Sequence, residues 1–370
     1  MKKLKLNCIF AGLAILTALA SCRKSNVTPN TGGQNVAYQD GLYILNQGSG
    51  FSSFNSTLTF YNFAQKALIP DQYSVANKTR IGGVGNDVEI YGSKMYIVAT
   101  ISSVVDVVDP KTTKLIKQDS IIAHNYVIQP PLYSHLREPR SIAFYKGNAF
   151  ITSFDGTVAV MDTTTLTITK YITVGRYPEG LAVANNKLYV ANSGGGLDST
   201  VSVVDLNTLT EIKKIKVIPY PERIAADNYG NVYVMSVMDY GNDYQPVTYG
   251  GMTIIDNKTD LVKSQPPINA GFDISATIQG DSLYYSTLDN KIAIYNTKTQ
   301  TAASDSFIKD GTKITKPYAI TISPVTGEVF VTDAKDYLSN GVLYAFDKTG
   351  KLEYTLPTGI NPGRILLLNK

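Results

Sequence analysis

The sequence predicts an all-β fold, a seven-bladed β-propeller of four-stranded antiparallel blades, and three observations predict it. A strand motif reading small or apolar, aromatic, apolar and then small polar recurs seven times. Each copy sits in the same order of strands and turns. The two ends of the array are complementary fragments of one blade.

The copies are Leu42-Tyr43-Ile44-Leu45-Asn46, Met95-Tyr96-Ile97-Val98-Ala99, Ala149-Phe150-Ile151-Thr152-Ser153 and Leu188-Tyr189-Val190-Ala191-Asn192, then Val232-Tyr233-Val234-Met235-Ser236, Leu283-Tyr284-Tyr285-Ser286-Thr287 and Val329-Phe330-Val331-Thr332-Asp333. Successive aromatics are 53, 54, 39, 44, 51 and 46 residues apart, the length of one four-stranded blade. Val, Ile, Thr and Tyr dominate these runs, Gly and Asn mark the turns, and helical periodicity is absent after the N-terminal segment. A body of roughly 330 residues is long for one core, and repetition accounts for it.

Within a copy the elements follow one order. Gly180-Leu181-Ala182-Val183-Ala184 turns at Asn185-Asn186-Lys187 into the aromatic strand; residues 200–205 form a third strand and 211–217 a fourth. The turn before the fourth strand recurs at 109–112, 162–165, 205–208, 256–259, 296–299 and 347–349, opening each time on Asp or Asn. Those short side chains accept bonds from backbone amides just ahead and tolerate left-handed geometry, so they read as structural and receive no catalytic role.

The first copy, at Leu42, lacks the inner strand that precedes every other copy, while Pro362-Gly363-Arg364-Ile365-Leu366-Leu367-Leu368 is an inner strand with no blade after it. Residues 362–369 are therefore expected to join the first blade, closing the ring and removing exposed sheet edges.

Ahead of the array, Lys2, Lys3 and Lys5 precede an apolar run from Cys8 to Leu19 that is short for a membrane span. Leu19-Ala20-Ser21-Cys22 resembles the bacterial lipobox, in which cleavage before the cysteine leaves it to carry diacylglycerol. The expected organisation is a signal peptide at 1–21, lipidated Cys22 with a flexible tether to residue 36, and one propeller over 37–370. Membrane contact would be through the lipid anchor only. The chain's two cysteines are Cys8 and Cys22, so no thiol is left for a disulfide, metal or nucleophile. Removing 1–21 leaves 31 basic residues against 30 acidic ones, which gives no field suited to nucleic acid.

The copy spanning Tyr177-Pro178-Glu179-Gly180-Leu181-Ala182-Val183, the strand from Leu188 to Ser193 and Val201-Ser202-Val203-Val204-Asp205 resembles the YVTN or YncE-like propeller repeat. The opening blade, with Asn46, Gln47, Gly48, Asn55, Ser56, Thr57 and Leu58, resembles that of Bacteroidetes surface lipoproteins of the DUF5074 type. So does the closing blade, through residues 327–337, Gly341 and Gly350-Lys351-Leu352. The resemblance spans essentially the whole mature chain. It implies an outer-membrane, surface-attached lipoprotein and, through the BtuG-like members, capture of cobalamin or another corrinoid for a TonB-dependent transporter. The chain departs from those relatives in having no Trp and 25 Tyr, and in carrying Arg23 and Lys24 after Cys22 where an acidic run is usual.

In a propeller, the loops entering the innermost strands and those leaving the second strands share one pole. Ahead of the inner strands lie Asn86, Asp87, Arg140, Glu179, Glu222, Arg223, Phe272, Asp273, Tyr318 and Arg364, expected to ring the channel mouth. They either bind ligand or plug a polar channel. The second loop set holds long insertions, with Phe51 and Phe54 in 47–56, Tyr240, Tyr244 and Tyr249 in 237–251, and Tyr337 in 334–340. The segment 123–138 adds His124, Tyr126, Tyr133, His135 and Arg137. Tyrosine offers broad contact plus a hydrogen-bonding tip, suited to a large amphipathic ligand or a protein, although ordinary exposed Tyr is the competing reading. The two histidines stand eleven apart without a partner at ligand spacing, so no metal is expected.

No nucleophile elbow, phosphate loop, zinc-binding pair or calcium loop is present, so no catalytic residue and no cofactor are assigned. Glu179 and Glu222 could face one another across the axis and do acid/base work. Three readings follow: a corrinoid-binding lipoprotein, a cell-surface adhesion or scaffold propeller for protein or glycan, and a propeller hydrolase or lyase. Fold does not choose between them.

Overall fold

The computed structural model describes residues 39–50, 55–121, 137–240, 246–271 and 274–369. The expectations placed on Cys22, Phe51, Phe54, His124, Tyr126, Tyr133, His135, Tyr244, Phe272 and Asp273 lie outside these residues.

Seven four-stranded antiparallel sheets are arranged as a ring. From the axis outward, blade 2 is Gly85–Tyr91, Lys94–Ala99, Val104–Val108 and Leu115–Ser120. Blades 3 to 7 repeat this order and begin at Pro139, Pro178, Pro221, Ala276 and Pro317. Blade 1 is composite. Its three outer strands, Gln39–Asn46, Thr57–Asn62 and Ala67–Ile69, come from the start of the domain, and its innermost strand is Pro362–Asn369. Tyr43 lies opposite Leu366 and Ile44 opposite Ile365, so the closure expected from the ends is the one observed.

The packing explains why the aromatic strands read as continuous apolar runs. Each second strand is covered on both faces, and alternate residues enter different cores. Tyr96 and Val98 pack with blade 3, whereas Met95, Ile97 and Ala99 pack with blade 1. The described residues form seven apolar clusters, one for each junction between neighbouring blades. The junction of blades 7 and 1, built from Phe330, Leu343 and Ala345 against Leu42, Ile44 and Ile365, is of the same kind as the rest. Outermost strands such as Thr210–Lys216 alternate exposed Thr, Lys and Ile with half-buried neighbours, and their charges blunt the free edges.

The third-to-fourth-strand turns are built as expected. Asp109, Asp162, Asp205 and Asp256 each accept the amides two and three residues ahead, which holds all four carboxyls below their usual range. These turns also clasp neighbouring blades, a role the sequence did not reveal. Tyr43 Oη donates to Pro110 O at 2.8 Å, Tyr233 Oη to Thr297 O at 3.1 Å, and Tyr189 Oη to Asp260 at 2.5 Å. Lys187 joins Asp260 at 2.6 Å. In each case the aromatic of one blade's second strand reaches the turn of the next blade.

Two departures from the regular repeat occur. A short helix, Gln72–Asn77, follows blade 1 although no helical period marks it; Asp71 caps its start, Lys78 ends it in a left-handed conformation, and buried Tyr73 anchors it by donating to Asp106 at 2.8 Å. The long insertion of blade 5 folds back as a small ladder, Asp239–Tyr240 against Pro246–Thr248.

Candidate functional site

The axial pole is shaped by one repeated corner. In blades 1 to 5 the residue before the inner strand, Asn361, Val84, Glu138, Tyr177 or Tyr220, has a positive φ between 42° and 60°. Its carbonyl accepts the first amide past the end of the same blade's second strand, from Gln47, Thr100, Phe154, Ser193 or Val237. Left-handed backbone is costly for non-glycine residues, most of all for β-branched Val84, and persists where surrounding contacts over-determine it. The inner strand then starts on Pro in five blades, a residue that has no amide to offer a ladder. The register slips within its first residues in six blades, all but blade 6. Such bulges re-aim side chains, here the second and third residues of the strand, toward the axis.

Those positions hold Asn86, Asp87, Arg140, Glu179, Glu222, Arg223, Tyr318 and Arg364, and contacts link them around the ring. Arg364 Nε donates to Asp87 at 2.8 Å, and Asp87 accepts the Ile142 amide of blade 3 at 3.0 Å. Asn86 Nδ2 donates to Arg140 O at 2.6 Å, and Arg140 Nε to Glu179 at 2.8 Å. Arg223 Nε donates to Ile274 O at 3.3 Å, and Tyr318 Oη to Gln47 at 2.7 Å. Asn86 and Asp87 are buried and committed to this frame, so they hold the mouth in shape.

The charges interact as one group. Burial lifts the Glu179 carboxyl above its ordinary range, Arg140 opposes the rise, and Glu222 adds to it. Burial works against the charge on Arg223, yet Glu222, Glu179, Tyr318 and Asp87 together raise its pKa. Glu179 and Glu222 belong to adjacent blades and do not stand across the axis: the inner strands there are so close that a Cβ on Gly180 would lie 2.6 Å from Glu222 O. Glu179 is held by Arg140, which corrects the facing pair expected for acid/base chemistry.

Sequence reading missed Glu89. It sits two residues after Asp87, hence on the same strand face, and burial followed by Asp87, against Arg364, pushes it up to about 8. It missed Phe154 and Tyr177 as well. Arg140 Cζ lies 4.7 Å from the Phe154 ring centre, and Tyr177 meets Phe154 edge-on at 5.2 Å. On the other side of the ring Tyr318 meets Tyr337 edge-on at 6.0 Å. The mouth thus has two aromatic shoulders, one at blades 3 and 4 and one at blades 7 and 1. The signal for Phe154 was its place as the first residue past an aromatic strand. Arg137, grouped with the loop residues from sequence, is instead buried, paired with Asp155 at 2.6 Å and set 3.8 Å from the Tyr171 ring centre.

The rim beyond the shoulders is apolar in places. Leu197, Tyr249 and Leu338 are 76%, 74% and 72% exposed, the three most exposed large apolar side chains among the described residues, and all three lie on this pole. No group of three or more metal-ligating side chains occurs among the described residues.

A ring of seven interlocked sheets thus forms a propeller whose charged and aromatic side chains gather at the mouth of one pole. Residues 40–357 match the family described as a domain of unknown function, DUF5074, and the chain belongs to that family. No curated protein matches the chain. Among solved structures it is similar to a quinoprotein alcohol dehydrogenase-like protein of Bacteroides thetaiotaomicron, with 17% identity and a TM-score of 0.63, covering 90% of this chain and 79% of that one. It is also similar to hydrazine synthase of Kuenenia stuttgartiensis, with 14% identity and a TM-score of 0.58, covering 75% of this chain and 93% of that one. At such identities the likeness is one of fold.

Proposed function

We propose that this protein is a capture device: a lipid-anchored outer-membrane propeller, exposed at the cell surface, that binds a corrinoid such as cobalamin at its axial pole and passes it to a TonB-dependent transporter. The observation that carries the reading is the pole itself. Bulged inner strands from six blades direct a charged and hydrogen-bonding ring into one mouth, between the shoulders Phe154–Tyr177 and Tyr318–Tyr337. A corrinoid is large and amphipathic, with a broad ring face for the aromatics and amide side chains for the polar ring. The family resemblance of the opening and closing blades supports the same ligand.

Isothermal titration with cyanocobalamin tests it. Saturable binding at micromolar concentration or tighter is expected, weakened by Phe154→Ala and by Tyr318→Ala. Absence of heat at micromolar protein and ligand removes the corrinoid.

A second reading, a scaffold that docks a protein or glycan, is favoured by Leu197, Tyr249 and Leu338, because exposed apolar groups on one face suit a macromolecular partner. Replacing all three with Ser separates the two. The corrinoid reading predicts retained cyanocobalamin affinity and impaired delivery to the transporter, whereas the scaffold reading predicts no cyanocobalamin binding in either form.

A further inference from the structure

The three axial arginines share a mode of attachment. Arg140, Arg223 and Arg364 are each bonded to the wall through Nε, to Glu179, Ile274 O and Asp87 respectively. A guanidinium has five N–H donors, and anchoring at Nε fixes its plane while leaving the terminal NH₂ groups to point away from the anchor. Among the described residues no hydrogen bond involves the terminal nitrogens of these three side chains. By contrast, buried Arg137 bonds through a terminal nitrogen to both Asp155 and Thr157, as a structural arginine does.

The three also share carboxylate neighbours. Glu179 is bonded to Arg140 and interacts with Arg223; Asp87 is bonded to Arg364 and interacts with Arg223. Two carboxylates thus link, by contact or by charge, guanidiniums from blades 3, 5 and 1. Asp87 is fully engaged, taking the amides of Val88 and Ile142 besides Arg364. Donors remain. Glu138, Glu179 and Glu222 lie among the arginines as well, so an added anion would be met by the directed guanidinium donors and not by an excess of positive charge.

We propose that the axial mouth is an oxyanion site, in which the terminal nitrogens of Arg140, Arg223 and Arg364 converge on a phosphate or carboxylate group of the ligand. The terminal guanidinium nitrogens are spare donors, and planar guanidinium forks match both groups. This inference does not depend on the corrinoid reading, since the site would serve any ligand with such a group.

Inorganic phosphate and citrate are the probes, titrated separately into the full propeller at pH 7 and read by calorimetry and by the rise of Tm. Saturable one-to-one binding of at least one probe is expected, and which probe binds tells phosphate from carboxylate as the preferred group. Arg223→Gln removes one fork without breaking either carboxylate pair, and it should weaken binding about tenfold or more. Arg223→Lys keeps the charge without the fork and should recover only part of the loss. Exposed Lys351, on the opposite pole, serves as control, and Lys351→Gln should bind like wild type. The proposal is overturned if neither probe saturates, if Arg223→Gln binds as tightly as wild type while remaining folded by circular dichroism, or if Lys351→Gln loses as much affinity as Arg223→Gln. A chain in which cyanocobalamin fails and phosphate binds keeps this site and loses only the corrinoid.

Discussion

Ending the chain at Asn361 removes the innermost strand of blade 1, and the consequence can be sized from what that strand covers. Ile365 and Leu368 are buried at 8% and 4% exposure, in the junctions of blade 1 with blades 7 and 2, and Leu366 and Leu367 pack half-buried against the same two cores. Full burial of such a side chain contributes about 1.5–3 kcal/mol, so two buried and two half-buried residues come to roughly 5–9 kcal/mol. That is comparable to the whole net stability of a typical domain, about 5–15 kcal/mol. The loss also bares the apolar strand Leu42 to Leu45 as a free edge, a template for aggregation. The truncated chain should show no cooperative melt by circular dichroism and should run as aggregate on size exclusion. A milder variant, Ile365→Ala, should fold but lose about 2–4 kcal/mol in urea titration. A truncated monomer that melts within a few degrees of the full domain would refute the closed ring as the source of stability.

The clasps give a matched set: Tyr189→Phe should cost about 1 kcal/mol by denaturant titration through the lost bond to Asp260, whereas Tyr96→Phe, whose buried hydroxyl has no partner among the described residues, should be neutral or stabilising. Glu89 ties stability to pH. Its folded pKa, about 8, lies above the ordinary 4.5, so its contribution is full below the lower value and is lost as pH rises through the upper one. Glu89→Gln should therefore match wild type at pH 5 and exceed it at pH 9 by on the order of 1–2 kcal/mol after allowance for solvent access; equal melting curves at pH 9 would contradict this. Gly180→Ala would press a methyl onto the Glu222 carbonyl and should cost about 1–3 kcal/mol, seen as a lowered Tm, while weakening whatever ligand the mouth takes.

The architecture was legible because its signals are local and repeated. An aromatic strand, a preceding inner strand and an Asp- or Asn-led turn recur in order, and an orphan inner strand at residues 362–369 has one place to go. The axial residues were legible for a related reason: in most blades a proline marks where the inner strand starts, and the bulge then aims the second or third residue at the axis. Contacts between blades were not legible. Whether Tyr189 clasps a turn or merely packs depends on Asp260, 71 positions later and in the next blade. Arg140 resting on Phe154, and Glu89 sharing a well with Arg364, likewise join segments that no local pattern relates. The short helix after blade 1 escaped notice because six residues are too few to display a period.

The clasps and the mouth occupy opposite ends of the strands. Cohesion between neighbouring sheets therefore comes from both ends, from the tyrosine clasps at one pole and, at the other, from the pairs Arg364–Asp87 and Arg140–Glu179 and the bond of Asn86 to Arg140 O. The exposed loop tips that carry Leu197, Tyr249 and Leu338 stand apart from both sets of contacts, and sequence can drift there without loosening either.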